Sequence, residues 1–379
     1  MPVKNKILLK NDFEKNPFTA GWSVPAPRSA ELAPTWSTED AFSGKRSLFI
    51  PGGGYWESPA FAVNPFEYYK LEFRSKADDL SYWAAFFYRE NCEILTADHY
   101  SSMDGSSDWI QNSYCFHGKA DASMAKVRFQ PQNKKNLYID DVTVTAVTRA
   151  DVCKWSDALY ATIPKVKFRQ APDCWKYLPR TMDALRNGKK LRIVMLGDSI
   201  INDTSNSQFA PLVERMYPNS RLEVVASVRG GTGCWYYKDQ FRIKEYVLDY
   251  KPDLLVIGGI SNGNADDVQN VVKQIRAHIN PDVLLMTGAV STKEYNPMVN
   301  KEWTPTVNIN GKGYRSALMR VATQEQCEFF DMAGAWGQYA LSCGKPYEWF
   351  LRDPVVHANA RGGMVLARIL ELYFAPKTR

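Results

Sequence analysis

Two hydrophobic rhythms divide the chain. Up to about residue 148 apolar positions recur every second residue. In Tyr68-Tyr69-Lys70-Leu71-Glu72-Phe73-Arg74, the side chains of Tyr69, Leu71 and Phe73 share one face, and Lys70, Glu72 and Arg74 the other. That is the period of a half-buried strand. Residues 81–89 read as an aromatic-rich strand and 125–129 alternate again, while Leu137-Tyr138-Ile139 leads through Asp140-Asp141 into Val142-Thr143-Val144-Thr145. Turn signals at Pro51-Gly52-Gly53-Gly54, Asp104-Gly105-Ser106-Ser107 and Asn133-Lys134-Lys135 punctuate these runs. Short strands, frequent turns and no helical period predict an all-β sandwich over residues 1–148.

From residue 191 the rhythm changes. Strands are predicted at 191–196, 221–228, 253–257, 283–287 and 327–331, alternating with helices at 207–217, 238–250, 265–279, 313–324 and 361–373. Val268, Val271, Val272 and Ile275 fall on one helical face, the stripe by which a helix packs on a sheet. Repeated β-α-β units of this length predict a parallel sheet with helices on both faces over 191–379. Between the halves, Pro164, Pro172 and Pro179 break the pattern. Residues 149–190 read as a linker with one short helix at 181–187.

Composition agrees with this division. The chain has 379 residues, 45% hydrophobic and 23% charged, enough for two domains with proper cores. No run reaches the ~18 apolar residues of a membrane helix. The net charge of +6 is dispersed, with Lys134-Lys135 and Lys189-Lys190 the densest spots. No basic stripe suggests a nucleic-acid partner, and none suggests a membrane.

The seven cysteines (92, 115, 153, 174, 234, 327 and 343) include no C-x-x-C pair and no metal spacing. Cys92 with Cys115, or Cys153 with Cys174, are candidate disulfides in an exported protein. The N-terminal MPVKNKILLKNDFEKN has no secretory leader pattern, so either the protein is cytosolic or a leader is absent from this sequence.

Ligands of open parallel sheets sit beyond the carboxyl ends of the strands. The first predicted strand there ends in Gly197-Asp198-Ser199-Ile200, where a serine on a sharp turn presents its hydroxyl at the top of the sheet. The second runs into Arg229-Gly230-Gly231-Thr232-Gly233 and the third into Gly258-Gly259-Ile260-Ser261-Asn262-Gly263. Glycine N–H groups and the Asn262 amide suit an oxyanion hole. Of four histidines (99, 117, 278 and 357), only His357 lies in a strand-end loop with a carboxylate close by, in Asp353-Pro354-Val355-Val356-His357.

This set, in this order, resembles the SGNH hydrolases, also called GDSL esterases. Gly197-Asp198-Ser199 matches the family's first block, Gly233 the second-block glycine, Asn262 the third-block asparagine, and Asp353 with His357 the last block. The resemblance covers roughly residues 190–375 and implies a flavodoxin-like α/β/α fold. It further implies Ser199 as nucleophile, His357 as base and Asp353 as its orienting acid. Ser199, Gly233 and Asn262 would form the oxyanion hole, and catalysis would need no cofactor. Two departures stand out. Asn262 follows Gly259-Ile260-Ser261 and precedes Gly263, unlike the usual Gly-x-Asn-Asp, and three residues separate Asp353 from His357 where the family has two.

The N-terminal half resembles carbohydrate-binding jelly-roll modules through Asn11-Asp12-Phe13-Glu14, Gly21-Trp22, Ser43-Gly44-Lys45-Arg46-Ser47-Leu48 and Tyr138-Ile139-Asp140-Asp141-Val142. Trp22, Trp36, Trp56, Trp83 and Trp109 all fall here. Such modules hold a structural calcium through an early acidic residue and a late aspartate, which here are Glu14 and Asp141.

Together the resemblances imply removal of O-acetyl groups from a polysaccharide or oligosaccharide, with Trp235, Tyr236 and Tyr237 as a sugar platform. They also imply a secreted or periplasmic protein whose leader is absent from this sequence. Two alternatives are a lipase or thioesterase on the same catalytic set and a carbohydrate-binding protein that has lost catalysis.

Overall fold

A computed structural model of the chain describes residues 5–24, 32–132, 135–289, 313–353 and 356–377. The turn expected at Asn133-Lys134, and Pro354-Val355 of the last loop, lie outside the described residues. The chain forms two compact units, residues 1–155 and 156–379.

The first unit contains β1 (Ile7–Asn11), β2 (Thr35–Ser37), β3 (Ser47–Ile50), β4 (Trp56–Glu57), β5 (Phe61–Ala62), β6 (Tyr68–Ala77), β7 (Ser81–Tyr88), β8 (His99–Met103), β9 (Ser106–His117), β10 (Met124–Pro131) and β11 (Leu137–Val147). One sheet runs β2-β3-β11-β6-β9 with β1 also on β11, and the other β4-β10-β7-β8 with β5 also on β10. Pairing is antiparallel throughout. Leu71, Phe73, Trp83, Phe87, Phe116 and Phe129 from the two inner faces fill the core, as the two-residue period requires. Trp22, Trp56 and Trp83 are core residues, whereas Trp36 and Trp109 stay partly exposed.

Strand β11 pairs with β3 through Leu137–Ile139 and with β1 through Val142–Thr145. Asp140 and Asp141 sit at the changeover, with Asp141 in the left-handed region at φ +50. The Asp140 carboxylate takes the N–H groups of Phe42, Ser43 and Asp141.

The remaining elements are α1 (Arg149–Ala161), α2 (Pro179–Arg186), β12 (Lys190–Gly197), α3 (Ser199–Ser205), α4 (Phe209–Met216), β13 (Arg221–Val228), α5 (Cys234–Tyr237), α6 (Gln240–Tyr246), β14 (Leu254–Ile257), α7 (Ala265–Arg276), β15 (Asp282–Met286), α8 (Tyr314–Gln324), β16 (Glu328–Phe330), α9 (Met332–Ser342) and α10 (Ala360–Phe374). The sheet order is β13-β12-β14-β15-β16, all parallel. In chain order that is 2-1-3-4-5, the flavodoxin-like winding, whose switch point lies between the first and third strands, here β12 and β14. Strand β12 is buried from Ile193 to Gly197, which is why it reads as a continuous apolar run rather than an alternating one. Helix α7 shows its signals in full. Asn264 caps the Asp266 N–H, Asp266 and Asp267 occupy the first turn, Lys273 and Arg276 the last, and Val268, Val271, Val272 and Ile275 are buried.

Three expectations need correction. The stretch 149–190 is not simply a linker, because α1 occupies its first third and residues 156–190 belong to the second unit. Helix α1 starts with a reciprocal cap, in which Thr148 Oγ1 takes the Asp151 N–H and Asp151 Oδ2 takes the Thr148 N–H. Second, the helix expected at 207–217 is α4, but the stretch before it, read as a loop, is itself helical as α3, the two helices parted at Gln208, whose φ is +62. Helix α3 therefore begins at the strand end itself, with Ser199 as its first residue. Third, none of the seven cysteines is joined in a disulfide, so neither candidate pair forms one.

Candidate active site

The site forms where β12, β13 and β14 end. At Gly197 an added Cβ would lie 2.5 Å from the Gly258 carbonyl and 2.7 Å from Ile201 Cγ1, so only glycine lets the first and third loops approach this closely. Asp198 then joins them. Its Oδ1 caps α3 through the N–H groups of Ile200 and Ile201 at 3.0 and 3.4 Å. Its Oδ2 accepts from Ile260 N, Ser261 N and Ser261 Oγ at 2.8, 2.7 and 2.7 Å. Gly259 makes room for this, at φ +99 and with its hydrogen facing the Asp198 carboxylate.

Ser199 is half-buried at the first position of α3. Its own N–H has no intrahelical acceptor at that position, and Asp198 engages the next two N–H groups instead of it.

Gly233 and Asn262 lie side by side. An added Cβ at Gly233 would come within 2.6 Å of the Ser261 carbonyl and 2.7 Å of Asn262 Oδ1. Asn262 is buried, accepts the Cys234 N–H at 2.6 Å and donates from Nδ2 to the Gly258 carbonyl at 3.0 Å. One Nδ2 hydrogen is left over. The Cys234 thiol is pushed up by its burial and stays protonated, which makes it a poor nucleophile.

His357 sits in the loop before α10. A bridge between Leu351 and Ala358 closes that loop, with Arg352 N donating to the His357 carbonyl at 2.8 Å. Asn359 braces it by donating to the carbonyls of Trp349 and Leu351 while capping α10. At Gly362 an added Cβ would meet the Phe350 carbonyl at 2.4 Å.

The carboxylate against the His357 ring is that of Asp203. Its Oδ2 lies 3.0 Å from Nδ1 and also accepts the Ala358 N–H at 3.1 Å, while Arg352 Nη1 lies 3.6 Å from its Oδ1. Asp203 is 6% exposed. Asp353, expected at the ring, instead has Oδ1 on the backbone N–H groups of Val356 and His357 at 2.9 and 3.4 Å. The sequence reading missed Asp203. Its signal is the spacing Ser199-x-x-x-Asp203, which a helix turns into one face, but the helix was expected to start after Asp203.

The three aromatics after Gly233 separate. Trp235 is 52% exposed. Tyr236 is half-buried with the Arg242 guanidinium 3.2 Å from its ring centroid. Tyr237 is buried and donates its hydroxyl to the Gly197 carbonyl at 2.7 Å, so it braces the β12 end and leaves Trp235 and Tyr236 as the platform candidates.

In the first unit, Glu14 and Asp141 both reach the loop at Ser43–Arg46. Glu14 Oε1 takes the N–H groups of Lys45 and Arg46 at 2.8 and 2.9 Å, and Asp141 Oδ1 takes the Ser43 hydroxyl at 3.0 Å. Among the described residues no group of three or more acidic, histidine or cysteine side chains is set to hold a metal. A calcium here would draw on these two carboxylates with carbonyls and water completing its shell.

The outward side of the β4-β10-β7-β8 sheet is also aromatic, a feature the sequence reading passed over. Tyr82 and Tyr100 lie 5.3 Å apart between centroids, and the Arg128 guanidinium lies 3.9 Å from the Tyr55 ring and 4.3 Å from that of Phe86. Burial raises the Glu57 carboxyl, but Lys126 and Arg128, each bonded at 2.9 Å, outweigh it and hold it below its usual range.

No helix of the described residues is long and apolar enough to cross a membrane. No protein-family model matches the chain, and no curated protein does. Among solved structures it is similar to a two-domain esterase active on acetylated mannans, at 16% identity and a TM-score of 0.40, the match covering 53% of each chain. The same kind of esterase co-crystallized with mannopentaose matches at 18% identity and 0.40, covering 52% of this chain and 53% of that one. The CBM22-1 xylan-binding domain of Xyn10C from Paenibacillus barcinonensis matches at 13% identity and 0.32, covering 39% of this chain and 99% of that one. This chain matches about half the length of the esterase.

Proposed function

We propose that the C-terminal unit is a serine-dependent carboxylic ester hydrolase that removes O-acetyl groups from a polysaccharide or oligosaccharide. The observation that carries this reading is the buried Asp203 carboxylate 3.0 Å from His357 Nδ1, one helical turn beyond Ser199. Residues four apart on a helix have Cβ atoms about 6 Å apart, so the imidazole is brought to the helix face that begins with Ser199.

In this reading His357 holds its ring proton on Nδ1 and takes the Ser199 hydroxyl proton on Nε2 as Oγ attacks the acyl carbon. The oxyanion of the tetrahedral intermediate is met by the N–H groups of Ser199 and Gly233 and the spare Nδ2 hydrogen of Asn262. The intermediate collapses, and the sugar oxygen leaves with the proton from His357. Water then attacks the acetyl-serine, giving its proton to His357, and acetate departs as Ser199 is restored. Apart from water and the ester itself, these steps use only groups of the chain and call on no metal or organic cofactor.

The carbohydrate part of the proposal is supported by exposed Trp235 beside Gly233 and by the aromatic sheet face of the first unit, since flat rings flanked by hydrogen-bonding groups suit sugar faces. A secreted or periplasmic setting goes with that substrate. The calcium is a subordinate proposal for the 43–46 loop.

The test is acetate release from acetylated xylan, acetylated mannan, pectin and simple acetylated sugars, comparing the parent with Ser199→Ala. Release by the parent that vanishes in the variant supports the reading, and the ranking of substrates names the glycan. No release from any acetyl ester by folded parent protein overturns it.

A further inference from the structure

Resting on the esterase reading above, the geometry points to Asp203 as the residue that positions His357, in the role the family resemblance assigns to Asp353. Its Oδ2 meets two groups at once, the ring nitrogen Nδ1 at 3.0 Å and the Ala358 N–H at 3.1 Å. One oxygen thus sets both the direction of the imidazole and the main chain beside it. Accepting the Nδ1 hydrogen fixes the tautomer, leaving the Nε2 lone pair for the serine proton. Arg352, 3.6 Å from the other oxygen, gives this buried carboxylate a counter-charge.

Asp353 does different work. Its Oδ1 gathers the N–H groups of Val356 and His357, which shapes the loop that carries the ring. The extra residue between Asp353 and His357 thereby finds its reason, because the acid is no longer required at the ring. The arrangement also ties nucleophile and positioning acid to one rigid element. Ser199 and Asp203 stand at the first and fifth residues of α3, so a single helical turn fixes their spacing, while His357 arrives from a separate loop.

The test uses a fluorophosphonate, whose phosphorus Ser199 Oγ attacks with loss of fluoride while the hydroxyl proton passes to His357; no glycan need be known. In Asp203→Asn the amide can donate to Nδ1 and select the wrong tautomer. Labelling should slow on the order of 10²–10⁴-fold, and kcat on an acetyl ester should fall with little change in KM. Asp353→Asn keeps an acceptor for the loop N–H groups, and its labelling should stay within about tenfold of the parent. In ¹H NMR a downfield imidazole N–H resonance should be present in the parent and in Asp353→Asn and absent in Asp203→Asn. Asp203→Glu should recover part of the rate. Labelling of Asp203→Asn at the parent rate, or loss of the resonance in Asp353→Asn with retention in Asp203→Asn, overturns the inference. If Asp203→Asn does not fold, Asp353→Asn decides alone, since its inactivity with loss of the resonance overturns the inference and its activity with the resonance supports it. Labelling that persists in Ser199→Ala would instead sink the esterase reading, and the resonance would then still report on Asp203.

Discussion

Asp198 offers the sharpest test of how the site is held. It is 1% exposed and its carboxylate accepts from five donors, Ile200 N, Ile201 N, Ile260 N, Ser261 N and Ser261 Oγ. Asp198→Ala deletes an N-cap, worth about 1 kcal/mol. It also strips the N–H groups of Ile260 and Ser261, and leaving a buried donor unsatisfied costs roughly 1–3 kcal/mol each. Relief of the buried charge and entry of water offset part of this, so we expect a net loss of about 4 kcal/mol. For a unit of this size each kcal/mol moves Tm by about 2–4 °C, which gives about 8–16 °C. The assay is differential scanning calorimetry of parent and variant, following the transition of residues 156–379. Asp198→Asn should recover only the cap, because its amide hydrogens would face the N–H groups of the 260–261 loop. An Asp198→Ala shift below about 3 °C would refute the view that this carboxylate clamps the first and third loops together.

Gly259→Ala should act through the same clamp. Its φ of +99 strains any other residue, and the new Cβ would press on the Asp198 carboxylate. We expect a loss of about 2–4 kcal/mol by urea unfolding together with lower ester turnover, and unchanged unfolding would contradict it. Burial pushes Asp140 up to about 6 against the N–H groups of Ser43, Asp141 and Phe42. Between about pH 4 and 6 the folded state therefore keeps a proton that the unfolded chain releases, so this group's contribution to stability falls as pH rises through that window and levels off above it. Asp140→Asn should flatten the slope of stability against pH there, and an unaltered slope would speak against the assignment. Trp235→Ala should raise KM on an acetylated polysaccharide several-fold and leave hydrolysis of a nitrophenyl acetate alone; equal loss on both substrates would place Trp235 in the packing. Dialysis against a chelator should lower the Tm of the first unit if calcium joins Glu14 and Asp141, and an unchanged melting curve would remove the metal from the account.

The sequence alone determined the two fold classes, because burial on one face or on both writes itself into periodicity. Alternation around Leu71 and Phe73 marked a sandwich strand, and the unbroken run ending at Gly197 marked a strand covered on both sides. It also put Ser199, Gly233, Asn262 and His357 beyond the strand ends, where an open α/β sheet places its ligands. Boundaries were less legible. The capping pair of Thr148 and Asp151 started a helix where prolines further on suggested a linker, and α3 fills the stretch between the first strand end and the helix expected from residue 207. Which carboxylate meets His357 was a matter for the tertiary structure. Asp353 is four residues from the histidine in the chain, yet a short loop can turn its side chain onto backbone N–H groups as readily as onto a ring. Asp203 is 154 residues away, and only the packing of the last loop against α3 brings it to Nδ1. Local pattern determines how a segment folds and which face it buries; contact between distant segments depends on their packing, and no spacing within either segment records it.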